Sequence, residues 1–253
     1  MRYRARVEYD GTDFAGFQLQ PGARTVQGEL EAALARLSGG KRQPVVGAGR
    51  TDAGVHAEGQ VIAFSYSGRL DADALVVALN GILPADVALR DARRARRGFH
   101  PRYAARYRDY RYTIWNGPRS PLRERTALRV SAALDVEAMT RAAAVFVGRH
   151  DFSAFGGADP QPVRTVYAVR VRRSGRIVTI DVRAEAFLRR MVRRIVAALL
   201  EVGRGRLAAD AIAAALADRR PAFGGAAAAA RGLSLRRVVL GRRRESGEGH
   251  EEA

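Results

Sequence analysis

Four blocks of this chain bring chemically capable side chains close together. The run Gly47-Ala48-Gly49-Arg50-Thr51-Asp52-Ala53-Gly54-Val55-His56 sets a carboxylate and an imidazole in a glycine-rich basic loop. Residue types alone leave two readings of Asp52: a tight turn in which it bonds its own backbone, or chemistry. The glycines suggest a phosphate cradle, but no Lys-Ser/Thr follows, and the spacing fits neither the P-loop nor the dinucleotide fingerprint. Asp52 and His56 lack company for a metal, because His100, His150 and His250 are scattered, so no metal is expected. The second block, Tyr9-Asp10-Gly11-Thr12 with Gly16-Phe17-Gln18-Leu19-Gln20, reads as a strand followed by an Asx-type turn.

The third block runs from Phe99-His100-Pro101-Arg102 into Arg106-Tyr107-Arg108-Asp109-Tyr110-Arg111-Tyr112. On a strand, Arg106, Arg108, Tyr110 and Tyr112 share a face. Arginines and tyrosines together suit phosphates and stacked bases; an ordinary amphipathic strand explains them as well. In the fourth block, Leu188, Met191, Val192, Ile195, Val196, Leu199 and Leu200 make a helical stripe that must be core. Arg189 and Arg193 flank it, to pair a carboxylate or to snorkel.

The elements that must position these side chains follow from periodicity. Alternation predicts strands at 2–9, 59–66, 86–93, 105–115, 164–173, 176–184 and 233–240. Helical spacing predicts helices at 25–38, 71–80, 135–147, 187–202 and 208–218. Ser174-Gly175 marks a hairpin, and Asn80-Gly81 with Leu83-Pro84 ends a helix. Strands and helices come in mixed runs, which favours α+β over a doubly wound sheet. Each half repeats about the same order of elements, so two similar half-domains are expected, 1–104 and 105–241, joined by a crossover near 99–108. Residues 242–253 carry no apolar side chain except the terminal Ala and are expected to be a disordered tail.

Bulk composition narrows the class. The 253 residues are 47% apolar, enough for a core. No apolar run reaches the length of a membrane span, no room is left for a signal peptide, and a cytoplasmic protein is expected. With no cysteine, disulfides, thiolate metal sites and cysteine nucleophiles are excluded. Lys plus Arg is 44 against 26 acids, a net charge of +18. Such a surface attracts polyanions. All but one of those cations is Arg; GC-driven drift explains the choice of Arg better than it explains the excess of charge.

Taken together, and in their order along the chain, the four blocks resemble the TruA-type tRNA pseudouridine synthases. Val26-Gln27-Gly28, Gly59-Gln60-Val61, Asn80 with Leu83-Pro84, Gly148-Arg149-His150-Asp151-Phe152 and Gly232-Leu233 extend the likeness from about residue 2 to about 240. The resemblance implies a mixed, mainly antiparallel sheet with flanking helices. It also implies a reaction in which uracil leaves C1′, turns and rejoins through C5, at positions 38, 39 and 40 of the tRNA anticodon stem-loop, without cofactor or metal, by a homodimer whose two chains share one tRNA. By the same resemblance Asp52 is the catalytic carboxylate, Tyr110 the pocket tyrosine and candidate acceptor of the C5 proton, Arg193 the partner of Asp52, and Arg50 the residue that fills the vacated stack. His56, Arg106 and Arg108 are counted with Arg50 and Tyr110 among the RNA-contacting candidates. Departures are Phe17 where Trp is common, Ala197 where Gly is frequent, Ala226–Ala230 without the usual Pro, and Leu240 for a common Tyr. The rivals are a basic RNA-binding module without catalysis and a metal-dependent nuclease.

Overall fold

Tyr3, Ala5, Val7 and Tyr9 alternate with polar residues and point into the core from β1 (Arg2–Tyr9). The same logic forms β3 (His56–Ser65), β4 (Val87–Arg94), β5 (Ala105–Trp115), β8 (Val163–Ser174), β9 (Ile177–Ala184) and β10 (Leu233–Leu240), with three short strands, β2 (Val46–Gly47), β6 (Leu128–Arg129) and β7 (Gly148–Asp151). The computed structural model describes residues 1–221, 224 and 226–241. The tail expected at 242–253 lies outside them.

These strands form one ten-stranded sheet in the order β4-β1-β3-β10-β5-β9-β8-β7, with β2 on β3 and β6 on β5. Neighbours are antiparallel except β10 on β3 and β5 on β6. The last strand of the described residues thus sits between the N-terminal and C-terminal strands and carries one ladder across both. Gly59 permits this: a Cβ there meets the Arg236 carbonyl oxygen at 2.5 Å. The expected boundary at 104/105 falls between α3 (Pro101–Ala104) and β5.

The other helices are α1 (Val26–Leu37), α2 (Ala72–Asn80), α4 (Val136–Ala143), α5 (Met191–Gly203) and α6 (Ala209–Asp218). Thr25, Asp71 and Asp135 cap α1, α2 and α4 by accepting from the backbone N–H of Gly28, Ala74 and Ala138. Two helices are shorter than their periodicity suggests. The apolar stripe begins at Leu188, but Arg190 is left-handed at φ 61°, so α5 starts at Met191. The stretch 144–146 tightens into a 3-10 turn after α4.

On β5 and β9 one alternate set (Tyr110, Tyr112 and Ile114; Val178, Ile180 and Val182) is buried, and the other is partly exposed. That outer set carries ion pairs between strands: Arg111 with Asp181, and Arg183 and Arg237 with Asp109.

Glu31 shows how a carboxylate is kept inside α1. Burial alone raises its pKa. Hydrogen bonds from the Val45 N–H at 3.0 Å, Gln27 at 2.8 Å and Arg42 at 2.7 Å outweigh that and hold it below the usual carboxylate range. A depressed pKa contributes stability that is present above the unfolded value, about 4.3, and lost as pH falls through the folded one. Glu31→Gln is therefore expected to cost about 1–3 kcal/mol at neutral pH. Thermal melts from pH 7 to pH 3 should show the gap between the two proteins closing on the acid side.

Candidate active site

Asp52 lies in the loop between β2 and β3, and every turn of that loop is tied down. The Ala48 N–H donates to the Val61 carbonyl at 2.8 Å. The fully buried Gln60 amide donates to the Gly49 carbonyl at 2.9 Å. The Thr51 hydroxyl bonds the Tyr9 hydroxyl at 2.8 Å, and the Thr51 carbonyl accepts from the Phe17 N–H at 3.1 Å. The turn itself is closed by the Asp52 carbonyl, which accepts from the Val55 N–H at 3.2 Å, and Gly54 at φ 75° completes it. The Asp10-Gly11-Thr12 turn packs directly against it: a Cβ on Gly11 meets the Val55 carbonyl oxygen at 2.0 Å. As its residue types suggest, that turn is an Asx turn, with the Thr12 N–H on Asp10 Oδ1 at 3.0 Å.

With its own turn closed by backbone, the Asp52 carboxylate faces outward to Arg193. Arg193 Nη1 lies 3.5 Å from Asp52 Oδ2, an ion pair longer than a tight hydrogen bond. Arg193 stands in the first turn of α5 and is held from behind. Its Nε donates to the Ala228 carbonyl at 2.6 Å, and the Ala228 N–H donates back to the Arg193 carbonyl at 3.0 Å. The next residue, Ala229, accepts from the Tyr112 hydroxyl at 2.8 Å. A Cβ on Gly232 meets the Tyr112 ring at 2.6 Å, so glycine there lets the chain cross the tyrosine into β10.

Tyr110 is the third member. It is 8% exposed, and the Phe187 ring meets it edge-on at 5.1 Å. Burial pushes its phenol well above the usual range; the neighbouring Tyr9 and the Asp52 carboxylate push the same way, while Arg108 opposes them. Tyr9 is pushed up to about 12 by burial, against the lowering effect of its hydrogen bonds to Thr51 and Gln60. Both phenols are neutral at neutral pH.

The remaining candidates separate by burial. Arg50 and Arg106 are exposed, Arg50 two residues from Asp52. Arg108 is 9% exposed, and its guanidinium points at backbone carbonyls. His56 is also buried. Its Nδ1 is 3.1 Å from the Gly11 N–H and 3.1 Å from Asp10 Oδ1, and its Nε2 is 2.9 and 3.0 Å from the Arg125 and Arg231 carbonyls. Two carbonyls at Nε2 require a proton there, so His56 joins three segments of backbone. Among the described residues no group of three or more His, Asp or Glu is placed to hold a metal ion, and no helix is long and apolar enough to cross a membrane.

Sequence reasoning did not assign roles to Thr51, Gln60 and Phe187. Only the Gly59-Gln60-Val61 string hinted at Gln60, and nothing local announces a buried amide that supports a loop eleven residues away. What results is a carboxylate paired with one arginine, beside a buried neutral phenol, with an exposed arginine two residues along the same loop.

A family model described as tRNA pseudouridine synthase matches residues 5–104 and 142–239. A tRNA pseudouridine synthase A from Moorella thermoacetica is 48% identical over 92% of this chain and 96% of its own length. Proteins of the same name from Myxococcus xanthus and Shouchella clausii are 45% and 43% identical, over 94% and 95% of this chain and 91% and 94% of theirs.

Proposed function

This chain belongs to the tRNA pseudouridine synthase family and is accordingly an isomerase, and on that premise we propose that it converts uridine to pseudouridine at positions 38, 39 and 40 of the tRNA anticodon stem-loop. The observation that carries the reading is the meeting of Asp52 from the N-terminal half with Arg193 from the C-terminal half, beside buried Tyr110. In the reaction the C1′–N1 bond breaks, a C1′–C5 bond forms, and the proton on C5 is exchanged for one on N1.

Asp52 is the catalytic carboxylate, adding to the sugar or base or steadying the cationic sugar while the base turns. The base must leave the helical stack to reach it. Arg193, 3.5 Å away, aims the carboxylate. Tyr110 walls the pocket and accepts the C5 proton. Arg50 takes the vacated place in the stack, a role its planar guanidinium suits, and exposed Arg106 binds backbone phosphate. His56 and Arg108 belong to the same substrate region and act through the backbone they hold. The net charge of +18 supports a polyanionic substrate. The same reading takes the chain as two similar halves, 1–104 and 105–241, acting as a cytoplasmic homodimer without cofactor.

The test is mapping of pseudouridine in tRNA treated with the purified protein, with and without EDTA. Conversion confined to the 3′ side of the anticodon stem-loop and unchanged by EDTA is expected. Tight binding without any conversion makes the chain an RNA-binding module instead, and conversion lost with EDTA restores a metal.

A further inference from the structure

Arg108 is the one arginine on β5 that points inward and is buried. Its Nη1 donates to the Glu185 carbonyl at 2.6 Å, and its Nη2 to the carbonyls of Ala48 at 2.6 Å and Arg102 at 3.2 Å. These acceptors come from three separate segments. Ala48 opens the loop that carries Asp52. Glu185 follows β9 and precedes Phe187, the ring set against Tyr110. Arg102 lies in α3, at the passage between the halves. Arg108 itself stands two residues from Tyr110 on the same strand.

We propose that Arg108 is a positioning residue that sets the Asp52 loop and the Phe187 wall relative to Tyr110, and that it makes no phosphate contact. The inference rests on the function proposed above for what is being positioned. Its physical basis is the guanidinium fork, whose donors diverge in one rigid plane and reach acceptors on different sides at once. A flexible ammonium does not hold that geometry. The buried Ala48 carbonyl also needs a donor, since leaving it unpaired costs stability. Misplacing a reacting group by about 1 Å costs on the order of 100-fold in rate, so a loosened clamp acts on turnover before it acts on binding.

The experiment compares wild type with Arg108→Lys and Arg108→Met, using tRNA as substrate. Expected for Arg108→Lys is a kcat lowered roughly 10- to 100-fold with KM and tRNA affinity within about threefold. The salt dependence of binding should be unchanged; a lost phosphate contact lowers that slope by about one. Hydrogen exchange at 48–55 and 186–190 should quicken, a readout independent of activity. Raised KM with preserved kcat and a shallower salt slope overturns the proposal in favour of an RNA contact. A lowered Tm with unchanged kcat per folded molecule overturns it in favour of stability alone. If Arg108→Met does not fold, the Lys variant decides. Wild type that converts no uridine sinks the proposed function, and the exchange data still decide whether Arg108 holds the loop.

Discussion

Asp52→Asn is expected to abolish uridine conversion, a loss of at least about 10³-fold or roughly 4 kcal/mol of barrier, while tRNA binding survives. Asparagine has nearly the shape of aspartate, and the loop is held by the Thr51–Tyr9, Gly49–Gln60 and Asp52–Val55 hydrogen bonds, none of which uses the carboxylate. The fold and the RNA-facing surface should therefore stay intact. Removing one acid from a chain of net charge +18 leaves its attraction for RNA at least as strong. On the proposed mechanism, what disappears is the carboxylate that attacks or steadies the reacting carbon, the group that Arg193 meets at 3.5 Å. Pseudouridine mapping and a binding titration on the same preparation separate the two effects. Full conversion by the variant removes Asp52 from the mechanism.

Tyr110→Phe is expected to lower the rate of C5 deprotonation by about 10²- to 10⁴-fold, the range for a lost general acid–base group. The phenyl ring stays against Phe187, so packing and base stacking are kept and only the hydroxyl is lost. The sign of the pH dependence follows from the raised pKa. Burial, Tyr9 and Asp52 hold the resting phenol in its neutral form. A neutral phenol is a poor base and its anion a strong one. The competent fraction therefore grows about tenfold per pH unit below the pKa, so wild-type deprotonation should climb steadily toward alkaline pH. Tyr110→Phe should flatten that climb. The measurement is single-turnover release of label from C5-labelled tRNA between pH 6 and 9. If Tyr110→Phe keeps both the wild-type rate and the wild-type slope, the hydroxyl is not the proton acceptor, and Tyr110→Leu then tests the ring alone.

The two residues differ in how far their sequence context announces the proposed roles. The Gly49-Arg50-Thr51-Asp52-Ala53-Gly54 string shows a turn, and its glycine at φ 75° bears that out. The turn uses backbone, however, and leaves the carboxylate free for Arg193, a choice that residue types left open. Tyr110 is legible as one of a row of aromatic and basic residues on a strand. Its neighbour Arg108 looked the same in sequence and lies buried on carbonyls, while Arg106 is exposed. Alternation indicates which residues share a face. It does not say where along that face protein ends and solvent begins.

The sequence by itself determined the local structure. Apolar periodicity placed β1, β5, β8, β9 and β10, and the starts of α1, α2 and α4, to within a residue or so, because pleat and helical pitch depend on neighbours a few positions away. Even so, the start of α5 at Met191 is not legible this way, since a left-handed Arg190 breaks no apolar pattern. Only the tertiary structure decided that β10 enters between β3 and β5, that one sheet runs through both halves, and that Asp52 and Arg193 meet across 141 residues of chain. Such contacts depend on how faces are buried against one another, and one glycine, Gly59 under Arg236, admits the crossing that brings the halves together. The chemistry of each side chain was written locally, whereas the site exists because packing placed three of them at one point.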